Sequence, residues 1–240
     1  MWTGDVDAFV SIVHVSFRTD GGGDSNYGIV NVGSKPTISW VSVETSGALT
    51  ESIAIVNNSS SPAMDNVTVS AAGGANTTRG IYNFGSSPLM TNVDASAAGS
   101  GLQTFGIFNF GSSPMMSDVT ARAVGTGVTT GGVINQQSSP KMSNLTASAA
   151  GSGGSRVGIL SDSSVVTMHN VTAGATGAAI AIDSTNSFVV IHDSFAGSAT
   201  GIHRVGGKVI AFDTTIAGGT TGGVVCYNAM DDSLNPYVCA

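Results

Sequence analysis

Charge is scarce in this sequence: 10% of its 240 residues are Asp, Glu, Lys or Arg, against roughly a quarter in an ordinary soluble domain. Eight basic residues stand against 15 acidic ones, for a formal net charge of −7. The basic residues form no cluster, which excludes a surface that tracks a phosphate backbone, so nucleic acid is not an expected partner. No apolar run approaches the ~20 residues that cross a bilayer as a helix, and membrane insertion is not expected. Residues 8–17 (AFVSIVHVSF) have the look of a short signal-peptide core, but Ile12 falls in the repeat register described below, so they are read as the first coil. No G-x-x-x-x-G-K-[ST] occurs, and His14, His169, His192 and His203 lack metal-ligand spacing with other donors. Neither a cofactor nor a metal centre is expected. The cysteines are only two, Cys226 and Cys239, both near the C-terminus. A disulfide between them would tie down the last coil and place the protein in an oxidising, extracellular setting; free thiols are the alternative.

What the sequence has in abundance is repetition. Ile12, Ile38, Met64, Met90, Met116, Met142 and Met168 are each 26 residues apart. The same spacing joins Ile29, Ile55, Ile81, Ile107, Val133 and Ile159, and again Val41, Val67, Val93, Val119, Leu145 and Val171. Two residues beyond the last row run Val43, Val69, Ala95, Ala121, Ala147 and Ala173, so that N-V-x-A-x-A alternates as a strand does. P-x-M and G-I-x-N read as two further strands, giving three short strands per coil. A single coil cannot bury its inner face, so identical coils must stack in parallel register. The G-S-S-P and A-A-G-S-G segments exclude an α-solenoid. With Ile191 and Phe212 read as continuing the Met row at shorter gaps, the expectation is about nine coils over residues 1–218. Residues 219–240, of different texture, would cap the open end. At the other end, either residues 1–8 form a slight cap or upstream sequence is missing.

Two asparagine rows accompany the apolar ones. Asn66, Asn92, Asp118, Asn144 and Asn170 precede the Val row, with Asp193 in the shortened coils; Asn31, Asn57, Asn83, Asn109 and Asn135 follow the Ile row. Asparagine tolerates left-handed backbone and its amides can bond to one another in a stack, so both rows are read as ladders at corners. Gly28, Gly80, Gly106, Gly132 and Gly158, with Ala54 in the same row, mark places where a Cβ would clash or φ is positive. On these residues the chain resembles the pectate-lyase-like superfamily of right-handed parallel β-helices. The repeated S-S-P-x-M-x-N-V-T-A-S-A-A-G and the terminal C-Y-N-A-M-D-D-S-L-N-P-Y-V-C look similar to uncharacterised bacterial extracellular repeat proteins.

That resemblance implies enzymes that cleave or de-esterify acidic polysaccharides, with clustered carboxylates and an Arg or Lys base, or a bridging calcium ion. The outward rows here are poor in such groups. Ser42, Thr68, Asp94, Thr120, Thr146 and Thr172 include one acid; Glu44, Ser70, Ser96, Arg122, Ser148 and Gly174 include one acid and one base. Asp94 and Arg122, a coil apart, are read as a surface ion pair, and Asp231-Asp232 as a capping turn. No catalytic residue is assigned. One row calls for another explanation: Val30, Val56, Tyr82, Phe108, Ile134 and Leu160 follow the inward Ile row directly and are all apolar, with Phe84 and Phe110 nearby. Adjacent rows cannot both face inward, so these eight residues form a candidate contact stripe, unless loops fold over it. The expected function is a non-catalytic scaffold or adhesion module at the cell surface or outside the cell, presenting repeated rows to another copy of itself or to a cell-surface glycan. The alternative is a polysaccharide lyase or glycoside hydrolase of the β-helix superfamily.

Overall fold

A computed structural model describes residues 2–4, 10–177, 179–231, 233, 235, 236 and 239. Among them the chain is a parallel β-solenoid without helices, and so without any helix long and apolar enough to cross a membrane. The first sheet stacks Trp2–Gly4, Ser25–Val32, Glu51–Asn58, Thr77–Phe84, Gln103–Phe110, Thr129–Gln136, Ser155–Asp162, Ile180–Thr185, Thr200–Val205 and Thr220–Thr221. The second takes the other half of each coil, in strands such as Thr37–Ser46, Ala63–Ala72, Leu89–Gly99, Met115–Gly125, Lys141–Ala150 and Val165–Ala175.

Through Met168 the Met, Ile, Val and Ala rows read from the spacing are columns of partners. Ile12 pairs with Ile38, and the ladder runs through Met64, Met90, Met116 and Met142 to Met168. Those five methionines are at most 2% exposed, and burying each is worth ~1.5–3 kcal/mol relative to leaving it in water. Seven rungs, Ile12 to Met168, keep the 26-residue spacing. The later coils are shorter, and there the Met row passes through Ile191 to Ala211. Phe212 therefore does not continue that row: it lies one residue further on, opposite His192 and Tyr227, and stacks on both rings.

The three expected strands are present as one strand plus one bent strand. In Ala63–Ala72, Met64 and Val67 both face the core although they are three positions apart, because Asn66 between them has φ 53°. Trp40, Asn92, Asp118, Asn144 and Asn170 bend their strands in the same way. In the shortened coils the two arms separate into Phe188–His192 and Phe195–Gly197 on either side of Asp193.

The second asparagine row is a ladder, but not at a corner. Asn31, Asn57, Asn83, Asn109 and Asn135 lie within strands of the first sheet, fully buried, and the Nδ2 of each donates to the Oδ1 of the next at 2.8 Å. The corner that follows uses other residues, among them Gly33, Ser59, Gly85, Gly111, Gln137 and Ser163, which carry the positive φ. Just past that corner runs a serine ladder. The backbone N–H groups of Ser34, Ser60, Ser86, Ser112 and Ser138 each donate to the Oγ of the serine one rung on, at 2.9–3.2 Å. These columns satisfy buried polar groups that would otherwise each cost ~1–3 kcal/mol. At the C-terminal end Val225–Tyr227 continues the second sheet, Met230 bridges Thr215 and Pro236, and Cys226 is bonded to Cys239 with Cα atoms 5.7 Å apart.

Candidate binding groove on the outer face of the first sheet

Strand alternation breaks at the glycine row, and this break shapes the outer surface. In Gln103–Phe110, both Thr104 and Ile107 are fully buried, and the ladder pairing skips Gly106 between them. A Cβ on Gly106 would lie 2.7 Å from the Gly132 carbonyl and 2.9 Å from the backbone N of Arg122, so here the two sheets touch backbone to backbone. Gly80, Gly132 and Gly158 are equally confined. Drawing the first sheet inward along this line makes its outer face concave. The rows on either side are Tyr27, Ile53, Arg79, Phe105 and Val30, Val56, Tyr82, Phe108, and across the line Arg79 covers Tyr82 and Phe108 while Phe105 meets Phe108.

The result is a second apolar cluster, separate from the core: Phe105, Phe108 and Ile134, with Tyr82, Phe110 and Leu160 packed against it. Tyr82 and Phe108 stack at 5.3 Å, Phe84 and Phe110 at 5.6 Å, and Phe105 meets Phe108 at 5.5 Å. The Arg79 guanidinium lies 4.7 Å above both the Tyr82 and the Phe108 ring, with Nη2 donating to Gln103 Oε1 at 3.0 Å. Phe108 is thus 8% exposed on the outside of the sheet, enclosed by its neighbours and this cation. Of the other stripe residues, Val30 and Val56 are half-buried and Phe84 is exposed. After Leu160 the same row passes to Asp183 and His203, whose Oδ1 and Nδ1 are 2.8 Å apart.

Toward the N-terminal rungs the groove deepens into a cavity of about 310 Å³ lined by Tyr27, Val30, Glu51, Ile53, Val56, Arg79 and Tyr82. The Tyr27 hydroxyl donates to Glu51 Oε2 at 2.8 Å. Burial lowers the affinity of the Arg79 guanidinium for its proton, opposed by Tyr82 and Glu51, and Arg79 Nε is buried without a hydrogen-bond partner. Burial also raises the Tyr27 and Tyr82 phenols, Tyr27 further through its bond to Glu51. Tyr27, Glu51, Arg79 and Phe105 are functional candidates that period-two reasoning misses. The signal that finds Tyr27, Arg79 and Phe105 is the glycine row, since a break in alternation there puts the residue before the glycine on the outside together with the residue two after it.

The remaining candidates are dispersed. Asp94 and Arg122 are exposed and form no ion pair, because Asp94 faces Thr120 and Arg122 faces Ser96, two positions apart along the strands. Asn66 and Asn92 both bond to Asp65, while Asn144 and Asn170 continue from Asp118 as a short exposed ladder. His169 is paired with Asp193 at 3.2 Å on the surface, and His14 stacks on Trp40. Asp231 accepts from the backbone N–H groups of Ser233 and Asn235, and Asp232 lies outside the described residues. Among the described residues no group of three or more His, Cys, Asp or Glu could hold a metal ion. Comparison with protein-family models, with curated proteins and with solved structures finds no match.

Proposed function

We propose that this chain is a non-catalytic, extracellular scaffold or adhesion module, a stiff rod that offers its concave outer face to a partner. The observation that carries this reading is the ring-lined groove, which lies outside the core and is held in place from within. The glycine row fixes its curvature and the asparagine ladder runs along the inner side of the same strands. A face whose rings are already stacked loses little side-chain freedom on binding, which favours a recognition surface. The disulfide supports an oxidising compartment, and the asparagine at the bend between strands supports kinship with pectate-lyase-like β-helices. The carboxylates are dispersed: Glu51 is bonded to Tyr27, Asp183, five rungs away on the same face, to His203, and Asp193 to His169 at a bend of the second sheet. That dispersal is a poor basis for a glycosidase pair or a lyase centre.

The test is incubation with a panel of acidic and neutral polysaccharides, with and without calcium, alongside a measurement of self-association. No release of new chain ends is expected. Phe108→Ser combined with Tyr82→Ser should weaken adhesion or self-association while the β-rich circular dichroism persists. Cleavage that disappears on mutating a single acid would replace the scaffold reading with that of a polysaccharide lyase or hydrolase.

A further inference from the structure

The ring stack of the groove ends at Tyr82, and the cavity opens beyond it. From Tyr82 onward, successive rungs place ring on ring, Tyr82 on Phe108 and Phe84 on Phe110. One face of Tyr82 is thus taken by Phe108, and the other looks toward the preceding rung, where the aligned residue is Val56. The rung before that carries Val30 in this column, and Tyr27 three positions away at the head of the neighbouring column of Ile53 and Arg79. Residues two rungs apart are separated by roughly 9.6 Å, twice the inter-strand spacing. Ile53 and Val56 form a low floor between Tyr27 and the Arg79–Tyr82 wall, in a cavity of about 310 Å³ that has room for a six-membered ring.

We propose that this slot binds one pyranose ring of a neutral glycan, a proposal that rests on the outer face being a recognition surface. The floor and the free face of Tyr82 match the C–H face of a sugar. The rim supplies both kinds of hydrogen-bonding partner that vicinal hydroxyls need. Glu51 uses Oε2 for the Tyr27 hydroxyl, leaving Oε1 to accept, while the Arg79 guanidinium, its Nε buried and its Nη2 bonded to Gln103, stands in the slot wall as the donor group. Charge selects against the other occupants of such a slot. The Glu51 carboxylate and the net charge of −7 disfavour an acidic sugar, and Arg79 disfavours a cation. An aromatic side chain of a protein partner would fill the space but strip water from Glu51 and Arg79 without replacing its hydrogen bonds.

The experiment is calorimetric titration of the full chain with hexasaccharides of β-linked glucose, xylose, mannose and N-acetylglucosamine, with hexagalacturonate as the acidic arm and a tryptophan-rich peptide as the protein arm. New reducing ends are measured in the same mixtures. At least one neutral hexasaccharide should bind. Val56→Phe, which extends the ring stack on an outer position, should weaken that binding at least ten-fold, and Glu51→Gln several-fold. No neutral binding, binding unaffected by Val56→Phe, or a preference for hexagalacturonate or the peptide would each overturn the proposal. Absence of binding without cleavage removes the sugar slot and leaves the scaffold reading standing, whereas cleavage removes the scaffold reading itself.

Discussion

The asparagine ladder makes a prediction in which most uncertain terms cancel. Asn83 accepts from Asn57 and donates to Asn109, both at 2.8 Å, whereas Asn135 ends the ladder, accepting from Asn109 while its own Nδ2 has no partner. Both side chains are fully buried, so Asn83→Ala and Asn135→Ala remove the same atoms from equally closed sites and leave similar cavities. They differ in what they orphan. Asn83→Ala strands the Nδ2 of Asn57 and the Oδ1 of Asn109; at ~1–3 kcal/mol for each buried unsatisfied group, the loss is about 2–6 kcal/mol. Asn135→Ala strands only Asn109 Nδ2 and removes a donor that was already unsatisfied, for about 1–3 kcal/mol. The measurement is the urea midpoint by circular dichroism at unchanged slope, with hydrogen exchange as a local check because solenoids need not unfold all at once. The mid-ladder variant should lose about twice what the terminal one loses. Equal losses, or a larger loss at Asn135, would refute the view that the column acts through its neighbour-to-neighbour bonds.

Two further outcomes follow from the backbone. Gly132→Ala should destabilise by about 1–3 kcal/mol in the same titration, because its Cβ would sit 2.7 Å from both the Gly158 carbonyl and the Ser148 N–H nitrogen; no loss would remove the contact that makes the outer face concave. Trp40→Asn should raise stability by about 1 kcal/mol, since Trp40 holds the left-handed corner conformation at φ 55° while 57% exposed, and asparagine enters that region more readily. A loss instead would show that the stack of Trp40 on His14 outweighs the backbone strain.

How much was legible in the sequence depends on which side of the sheet a residue faces. The interior columns could be read directly, since a side chain from Ile38 to Met168 must fit the same space above and below, and stacking forces sameness every 26 residues. The corner Asn66 row was legible because asparagine readily enters the left-handed conformation that each rung takes there. The Asn31 row was placed at a corner because its conspicuous amides resemble those of Asn66. The corner itself is made by Gly33, Ser59, Gly85, Gly111 and Gln137, a column of unlike residues that share a conformation and not a side chain. Phe212 was misplaced by one position because the shortened coils offer no period against which to test a register. The buried Ser34 to Ser138 column was visible as the first serine of S-S-P, but as a turn residue it gave no sign of its bond to the next rung.

The groove was only half legible, for a reason that bears on repeat proteins generally. Inside the solenoid, departure from the repeat costs packing. On the outer face departure is cheap, so residues with separate roles collect there without disturbing the fold. Tyr27, Ile53, Arg79 and Phe105 occupy one column and share no chemistry. A search for periodicity rewards sameness and passes over them, yet this column supplies two residues of the slot wall, Tyr27 and Arg79, and the floor between them. Asp183 and His203 are a second such departure, interrupting the apolar row that contains Tyr82 and Phe108. In this chain the repeat specifies the rod, and the places where the repeat fails on the outer face of the first sheet specify the shape and chemistry of its groove.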